Sequence, residues 1–430
     1  MSPAFIVIVL ATLFMVLVRI PVGLAFMAGG MWYLLLSGRD MGLAAEQIMN
    51  GSYSNFVILA VPMFIFMSRV ASAGTFMQRL VDFSLALVGS WRGGLAHVNV
   101  LASVILSGMS GSAIADAAGS GRLQIEMMTI RKHYSEAYAA AITASSAVIG
   151  PIIPPSIPMI LYALVSGTSL GALFLGGLIP GLFMSGMLML AVWYTANVKK
   201  LPVDAKLSLR EIGRTTVKSI LPILMPVILL GGIYSGIFTP TEAAGVAAVY
   251  VLILTGLIYR ELNWAGVYGT FASALRDSTV TMTVVAGSLL LNYVLTIERI
   301  PNLVLDSLGS LELGRVGLLL LINLLFLLLG MFLDSSVLLL VAVPLVFPVV
   351  AAAGIDPVHF GVVIVLNIMI GLITPPFGVL LFIVKGFVKA PIGEIIREDW
   401  PFLIVLLASL LLLVLVPDIV TWLPRIAMGR

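Results

Sequence analysis

The sequence predicts an all-α integral membrane protein: an inverted repeat with two re-entrant helical hairpins and two proline-broken helices. Three observations carry this fold class. The 430-residue chain is 60% hydrophobic and only 10% charged, whereas soluble domains carry about 25% charged residues. Apolar runs long enough for transmembrane helices, which need about 20 residues, recur along the chain. A Pro pair interrupts two of the longest runs, at matching places in the two halves.

The composition excludes several classes of protein. So few charges are incompatible with an ordinary soluble enzyme, a disordered chain or a nucleic-acid binder. The chain contains no Cys, so it has no disulfide, thiolate metal site or Cys nucleophile. It also lacks the phosphate-binding loop of ATPases and the G-x-S-x-G and H-E-x-x-H motifs of hydrolases. Its three His residues are isolated in sequence. We therefore expect no enzyme activity, no ATP use and no transition metal.

The distribution of Lys and Arg predicts the orientation in the membrane. The longest polar stretch, 197–218, is rich in basic residues, and we place it in the cytoplasm. Alternating the spans from there leaves only five basic residues outside: Arg39, Arg299, Arg315, Arg425 and Arg430. No basic residue precedes the first apolar run, so we interpret residues 4–18 as a transmembrane helix and not as a cleaved signal. Both termini are then expected in the periplasm of a bacterial inner-membrane protein.

The two halves repeat one order of elements with opposite orientation. Each half has three spans, an amphipathic segment, a hairpin, a Pro-broken span and a final span. Residues 149–155 align with residues 370–376, and Gly108-Met109 aligns with Gly330-Met331. An inverted repeat with broken helices is the architecture of secondary transporters.

This order divides the chain into eight segments, and the scaffold and transport roles given to them are what the family resemblance described below implies. The expected segments are 1–74 (scaffold helices), 75–91 (amphipathic connector), 92–168 (transport hairpin and broken helix), 169–217 (scaffold helix and cytoplasmic linker), 218–277 (scaffold helices), 278–312 (third span and connectors), 313–390 (transport hairpin and broken helix) and 391–430 (final helix).

The hairpin tips are the first candidate functional positions. Ser107, Ser110 and Ser112 alternate with glycines, and Asp116 follows. Gly allows the backbone to turn, and the freed polar groups need a partner inside a membrane. The alternative is close helix packing through small residues. At the second tip, Asp334 follows Gly330 in an apolar run. An intramembrane carboxylate indicates a functional site, but the same residue is also a good helix cap.

The broken spans are the other candidate positions. Pro154-Pro155 and Pro375-Pro376 must each interrupt a helix. The carbonyl and hydroxyl oxygens ahead of such a break suit Na⁺, and the next helix N-terminus favours an anion. The alternative is a plain kink. We expect the four prolines, Ser112, Asp116 and Asp334 to line or gate the substrate path.

These motifs together resemble the large membrane subunit of tripartite ATP-independent periplasmic (TRAP) transporters. The residues that carry the resemblance are Ser107-Gly-Met-Ser-Gly-Ser-Ala-Ile-Ala-Asp116, Ile149-Gly-Pro-Ile-Ile-Pro-Pro-Ser-Ile-Pro-Met159, Phe238-Thr-Pro-Thr-Glu-Ala-Ala-Gly245, Gly330-Met-Phe-Leu-Asp334 and Gly371-Leu-Ile-Thr-Pro-Pro-Phe-Gly378. The match covers essentially the whole chain, in order.

The resemblance implies an elevator-type carrier coupled to Na⁺. It implies two partners, a small four-helix membrane subunit and a soluble periplasmic protein that delivers an organic acid. By motif, one Na⁺ site would use Gly330, Gly371, Thr374 and Phe377. The pseudo-symmetric site would use Ser107, Ser110, Ser145 and Gly150.

Two other functions remain open from the residues alone. A carrier or exchanger of organic anions with similar build would need no binding protein and could couple to Na⁺ or H⁺. An intramembrane protease would need two converging carboxylates, for which Asp116 and Asp334 are the candidates.

Overall fold

The protein is described by a computed structural model that covers residues 2–130, 134–203 and 208–428. These residues form helices and short turns, and the only extended pairing among them is an isolated bridge between Arg92 and Val203. The α-helices are α1 Pro3–Leu17, α2 Val22–Leu36, α3 Gly42–Tyr53, α4 Ala60–Ser72, α5 Phe76–Val88, α6 Gly94–Ser110, α7 Ala113–Ala118, α8 Ser120–Ile130, α9 Glu136–Ala147, α10 Ile157–Ser166, α11 Leu170–Val198, α12 Leu209–Tyr234, α13 Pro240–Ile253, α14 Trp264–Ile297, α15 Ile300–Gly309, α16 Arg315–Gly330, α17 Ser335–Val337, α18 Val343–Ala352, α19 Pro357–Gly371, α20 Val379–Lys385, α21 Ile392–Leu415 and α22 Asp418–Met428.

Three short stretches depart from α-helical geometry. A 3-10 turn at Phe56–Leu59 precedes α4. A π-helical turn at Leu254–Ile258 continues α13, and another at Leu338–Ala342 joins α17 to α18. Within the described residues, α11, α12, α13 with its π turn, α14, Ser335–Ala352 and α21 are long and apolar enough to cross a membrane. The chain is therefore a multi-pass helical membrane protein by the length and composition of its helices.

One group of helices consists of α1 to α4 and α12 to α14. Within it, α14 packs on α2 and α4, and α13 packs on α4 and α12. Glycines allow α2 and α14 to cross at close range. A Cβ on Gly23 would lie 2.5 Å from the carbonyl carbon of Thr283, and one on Gly287 would lie 2.4 Å from the carbonyl oxygen of Gly23. Since small residues let membrane helices approach closely, these glycines join α2 to α14 tightly.

A second group contains the hairpins and the broken helices. The first hairpin is α6 with α7 and α8, and α6 and α8 both pack on α9. The second hairpin is α16 with α17 and α18, and α16 packs on α19. The broken helices cross each other, since α10 contacts α19 while α20 contacts α9. Each break is thus enclosed by elements from both halves of the chain.

The contacts of α11 place it beside the hairpins. Helix α11, which lies in the segment 169–217 predicted to hold a scaffold helix and the cytoplasmic linker, packs mainly on α6, α10, α19, α21 and α22. This packing is possible because one face of α11 carries glycines. A Cβ on Gly177 would lie 2.4 Å from the carbonyl oxygen of Ile152, and one on Gly181 would lie 2.4 Å from the Ile153 side chain. The first helix break packs against this face, so α11 groups with the hairpins by its contacts.

Some helix boundaries also differ from the apolar runs. The predicted boundary between segments 218–277 and 278–312 falls inside one helix, α14, because no Pro interrupts residues 264–297. Helix α3 was not predicted. The final apolar run divides at Pro417, where α21 ends and α22 begins. Apolar run length alone misses such junctions, since a helix end depends on one or two residues.

Charged residues near the helix ends pair with one another. Arg69 contacts Asp277, and the Lys199 ammonium lies 2.8 Å from Glu398. Glu261 accepts hydrogen bonds from Thr75 and lies 3.6 Å from the Arg79 guanidinium. Burial alone would raise the pKa of Glu261, but the Thr75 and Arg79 donors together hold this pKa below its usual range. Arg69, Arg79 and Lys199 are among the basic residues that the sequence analysis predicts on the cytoplasmic side, and that orientation stays a prediction.

Candidate cation and substrate site

The tip of the first hairpin is a sharp turn pressed against the first helix break. Gly111 ends α6 with φ of 56°, and Ser112 caps α7 by accepting from the Ala115 amide. The Gly111 carbonyl accepts from the Ile157 amide at 3.2 Å. A Cβ on Gly111 would lie 2.5 Å from the Pro155 carbonyl oxygen. Glycine is therefore required here twice, for the left-handed φ and for the close approach.

The predicted residues of the first cation site occupy different surroundings. The Ser107 hydroxyl donates to the Val104 carbonyl on its own helix. Ser110 is buried, and its hydroxyl has no hydrogen-bond partner among the described residues. Gly150 lies in the break, where a Cβ would be 3.9 Å from the Ser112 backbone. The structure thus places Ser110 and Gly150 near the hairpin tip and its facing break.

Ser145 faces away from the hairpin. Its hydroxyl donates to the carboxylate of Asp399, a fully buried residue of α21. The second carboxylate oxygen of Asp399 has no partner among the described residues. The neighbouring residue, Ser146, is the one that faces the hairpin. Its hydroxyl lies 2.6 Å from the Asn99 side-chain oxygen and 3.3 Å from the Ser103 hydroxyl.

The second cation site brings two backbones into contact. A Cβ on Gly371 would lie 2.9 Å from both Cα and the carbonyl carbon of Gly330. The Thr374 hydroxyl donates to the Ile370 carbonyl at 2.8 Å, and Thr374 is buried. Phe377 is exposed, and its ring packs on Phe332 at a centroid distance of 5.2 Å. The hairpin end and the helix break therefore meet at Gly330 and Gly371.

Amide side chains link this hairpin to its broken helix. The Asn367 side-chain nitrogen donates to the Asn323 backbone carbonyl at 2.8 Å and to its side-chain oxygen at 2.9 Å. Both residues are buried. The side-chain oxygen of Asn367 has no partner among the described residues.

The two candidate carboxylates have separate environments. Asp116 is buried and accepts a hydrogen bond from Ser120 at 2.5 Å within the first hairpin. Asp334 is exposed and caps the second hairpin, accepting from the Ser336 amide at 2.8 Å. Each carboxylate is thus engaged inside its own hairpin, and the cap geometry foreseen as an alternative for Asp334 is present. Among the described residues, no hydrogen bond links the two carboxylates to each other.

Both Pro pairs interrupt their helices as expected. The Pro154-Pro155 and Pro375-Pro376 bonds are cis. The break at 148–156 separates α9 from α10, and the break at 372–378 separates α19 from α20. Helix C-terminal carbonyls carry partial negative charge, so the ends of α9 and α19 favour a cation. The Phe238–Gly245 motif has a simpler role, since Thr239 and Glu242 form a capping box on α13.

The candidate cation ligands at both hairpin–break junctions are oxygen atoms. Among the described residues no group of three or more His, Asp or Glu side chains could hold a metal ion. The hairpin tips and the breaks offer backbone carbonyls and the hydroxyls of Ser110 and Thr374. Neutral oxygen ligands suit hard cations and not soft transition metals, so these residues fit the predicted Na⁺.

Sequence reasoning missed Asp399, Asn99 and Asn323. Asp399 was overlooked because it follows Glu398 at the start of an apolar run, where a carboxylate reads as interfacial. Asn99 and Asn323 lie inside apolar helices. Buried polar residues at membrane depth usually face a partner, and that signal was available in the sequence.

The helices and the two hairpin–break units define a polytopic membrane transporter. Residues 7–419 match the family model described as "Tripartite ATP-independent periplasmic transporter, DctM component", and the chain belongs to this family. The chain is 38% identical to the sialic acid TRAP transporter large permease protein of Vibrio cholerae, over 95% of this chain and 96% of that one. It is 35% identical to the C4-dicarboxylate TRAP transporter large permease protein of the same species, over 96% of each chain.

A solved structure of low sequence identity shares the fold. The YdaH transporter of Alcanivorax borkumensis matches with a TM-score of 0.62 and 15% identity, covering 90% of this chain and 88% of that one. At this identity the likeness shows the fold alone. Family membership and the apolar helices imply a multi-pass protein of the bacterial inner membrane, and the tripartite family implies a small membrane subunit and a periplasmic binding protein.

Proposed function

We propose that this chain is a secondary active importer that couples Na⁺ entry to the uptake of a small organic acid delivered by a periplasmic binding protein. The observation that carries the proposal is the pairing of each hairpin tip with a helix break. Gly111 meets Pro155 and Ile157 in one unit, and Gly330 meets Gly371 in the other. Such junctions free backbone carbonyls where a cation and a substrate can bind.

The proposed Na⁺ sites lie at these junctions. One uses Gly330, Gly371, Thr374 and the backbone of Phe377. The other uses the first hairpin tip, and its strongest candidate ligand is the Ser110 hydroxyl, which has no partner in the part of the chain that the structure describes. A carboxylate substrate would bind between the two units, near the N-terminus of α10. The relatives named for sialic acid and C4-dicarboxylates support an organic acid as substrate.

We further propose an elevator motion in which α6 to α11 and α16 to α22 move against the first helix group. This motion would have to break and re-form contacts between the two groups. The Asn292 side chain of α14 donates to the Leu340 carbonyl at 2.8 Å. That carbonyl lies in the π-helical turn of the second hairpin. A Cβ on Gly108 would be 2.8 Å from the Pro226 side chain of α12. Sliding of the hairpin group would break the Asn292 bond.

Thermal unfolding of the purified chain in nanodiscs with its small subunit tests the coupling ion. The melting temperature is measured in NaCl, KCl and choline chloride at matched ionic strength. A ligand at 100 times its Kd stabilises the native state by about 2.7 kcal/mol. We expect a rise in NaCl only, reduced in Thr374→Ala and Ser110→Ala. Equal melting in the three salts would contradict Na⁺ coupling.

Matched substitutions control for the loss of a hydroxyl. Thr296→Ala removes a hydroxyl that donates to the Asn292 carbonyl on an exposed face of α14. Ser84→Ala removes a buried hydroxyl that donates to the Leu80 carbonyl in α5. Both bonds have the same i to i−4 geometry as that of Thr374, and neither residue lies at a hairpin. The Na⁺ response should be unchanged in both variants.

Uptake by proteoliposomes distinguishes the main alternative, a carrier or exchanger that needs no binding protein. Transport of a labelled organic acid is measured with and without the binding protein, under a Na⁺ gradient or a pH gradient. Uptake that requires both the binding protein and Na⁺ supports the proposal. Uptake by the membrane subunits alone favours the alternative.

A further inference from the structure

A polar contact connects each hairpin to its broken helix, and the partners on the two broken helices are at corresponding positions of the two halves. Ser146 of α9 hydrogen-bonds Asn99 of α6, and Asn367 of α19 hydrogen-bonds Asn323 of α16. When the alignment of residues 149–155 with 370–376 is extended towards the N-terminus, Ser146 matches Asn367 in sequence. The same position of each broken helix therefore binds an Asn from the first leg of the facing hairpin.

Both contacts lie in fully enclosed surroundings. Asn99, Ser146 and Asn367 have no exposed surface, and Asn323 is 6% exposed. The Asn99 side-chain nitrogen also donates to the Thr143 hydroxyl at 2.7 Å. A buried polar group that loses its partner costs the free energy of its desolvation. A slip of either hairpin along its broken helix would break these bonds, so they favour a single register.

The register of the second contact determines the geometry of the proposed cation site. Asn367 precedes Gly371 by one helical turn, and Asn323 precedes Gly330 by about two turns. Residues at these spacings lie on the same face of their helices. The Asn323–Asn367 contact and the Gly330–Gly371 contact are thus consecutive along one helix–helix interface. Holding the first pair in register brings the backbones of the second pair together.

We propose that Asn323 with Asn367, and Asn99 with Ser146, are positioning pairs that align each hairpin with its helix break and so set the cation affinity there. The inference rests on the proposed Na⁺ coupling. None of the four residues needs to touch the ion. Groups that orient the direct ligands of a metal typically change its affinity about 10–100-fold when they are removed.

The test compares Na⁺ titrations of the melting temperature for the full chain with its small subunit. The variants are Asn323→Ala, Asn367→Ala and the double variant. Each single substitution should raise the half-saturating Na⁺ concentration about tenfold. The double variant should resemble the single ones, because residues that share one contact are not additive. A Thr255→Ala variant, which loses a buried hydrogen bond to Val251 in the first helix group, should melt earlier at unchanged Na⁺ affinity.

Hydrogen exchange supplies a readout that does not depend on Na⁺. The Leu380 amide donates to the Leu372 carbonyl at 3.0 Å across the second break. Its exchange should accelerate in Asn323→Ala and Asn367→Ala but not in Thr255→Ala. Variants that melt earlier yet keep wild-type Na⁺ affinity and wild-type Leu380 exchange would overturn the inference. A wild-type chain without any Na⁺ response would instead overturn the proposed coupling, and the exchange result would then decide the positioning role alone.

Discussion

Gly330 and Gly371 touch backbone to backbone where the second hairpin meets its broken helix. A Cβ on Gly371 would lie 2.9 Å from Cα and from the carbonyl carbon of Gly330. Backbone atoms at that distance cannot rotate away as a side chain can. The contact therefore requires glycine at position 371, whereas a Cβ on Gly330 would lie 3.4 Å from the Gly371 Cα, an ordinary contact distance.

Gly371→Ala should displace the second hairpin from its break. We expect a loss of about 1–3 kcal/mol in the free energy of unfolding, which is typical of overpacking, together with a weaker Na⁺ response. Melting curves with and without NaCl measure both effects. Gly269→Ala is the control, because a Cβ at that exposed position of α14 meets nothing within 4 Å. Equal stability of the two variants would contradict the close contact.

Gly111→Ala should be more costly than Gly38→Ala. Both glycines have positive φ, 56° and 67° respectively, so both substitutions carry about 1–2 kcal/mol of backbone strain. Only the Cβ at position 111 would meet another group, the Pro155 carbonyl oxygen. The difference between the two melting temperatures therefore isolates the contact of the hairpin tip with the first break. No difference would mean that this tip is not held against Pro155.

Ser145→Ala should leave the buried carboxylate of Asp399 without its hydrogen-bond donor. The expected loss is about 1–3 kcal/mol in the free energy of unfolding. In an Asp399→Asn background the same serine substitution should be less costly, because no carboxylate remains to be satisfied. A double-mutant cycle on denaturation free energies measures this coupling.

Ser409→Ala provides the comparison for that cycle. The Ser409 hydroxyl is buried on α21 but donates only to the Val405 carbonyl of its own helix. It should show no coupling to Asp399. Additive effects of Ser145→Ala and Asp399→Asn would refute the contact between α9 and α21.

The stabilising contribution of Glu298 should depend on pH. Hydrogen bonds from Ser2, and one from the Tyr33 hydroxyl at 2.7 Å, hold the pKa of Glu298 below its usual range. A carboxylate with a lower pKa in the folded state stabilises the protein above its unfolded pKa, about 4.3. That contribution is lost as the pH falls through the folded pKa.

Glu298→Gln should therefore lower the melting temperature by about 1–2 °C at neutral pH. The difference in melting temperature between Glu298→Gln and the wild type should become smaller as the buffer is acidified. Glu46→Gln, at an exposed position of α3, should follow the wild type throughout. A gap that is constant with pH would argue against an ionised Glu298 in these hydrogen bonds.

The helix breaks and the glycine-rich tips were readable from the sequence because their causes are local. Pro154-Pro155 and Pro375-Pro376 interrupt a helix wherever they occur, since Pro lacks an amide donor. Gly111 and Ser112 likewise form a turn and a cap from their own backbone geometry. The partner of Ser145 was not readable, because Asp399 is 254 positions away. Nor did the apolar run of α11 indicate which group of helices it joins.

The sequence by itself determined that this protein is a membrane-embedded helical transporter with two hairpins and two broken helices. Apolar run length, Pro pairs and Lys and Arg placement act through the solvent and the local backbone, so they require no knowledge of packing. Only the tertiary structure decided that α11 packs with the hairpins, that Ser146 and not Ser145 faces Asn99, and that Gly330 meets Gly371. Those outcomes depend on which helix faces meet, and that choice is made by close packing and buried hydrogen bonds between distant parts of the chain.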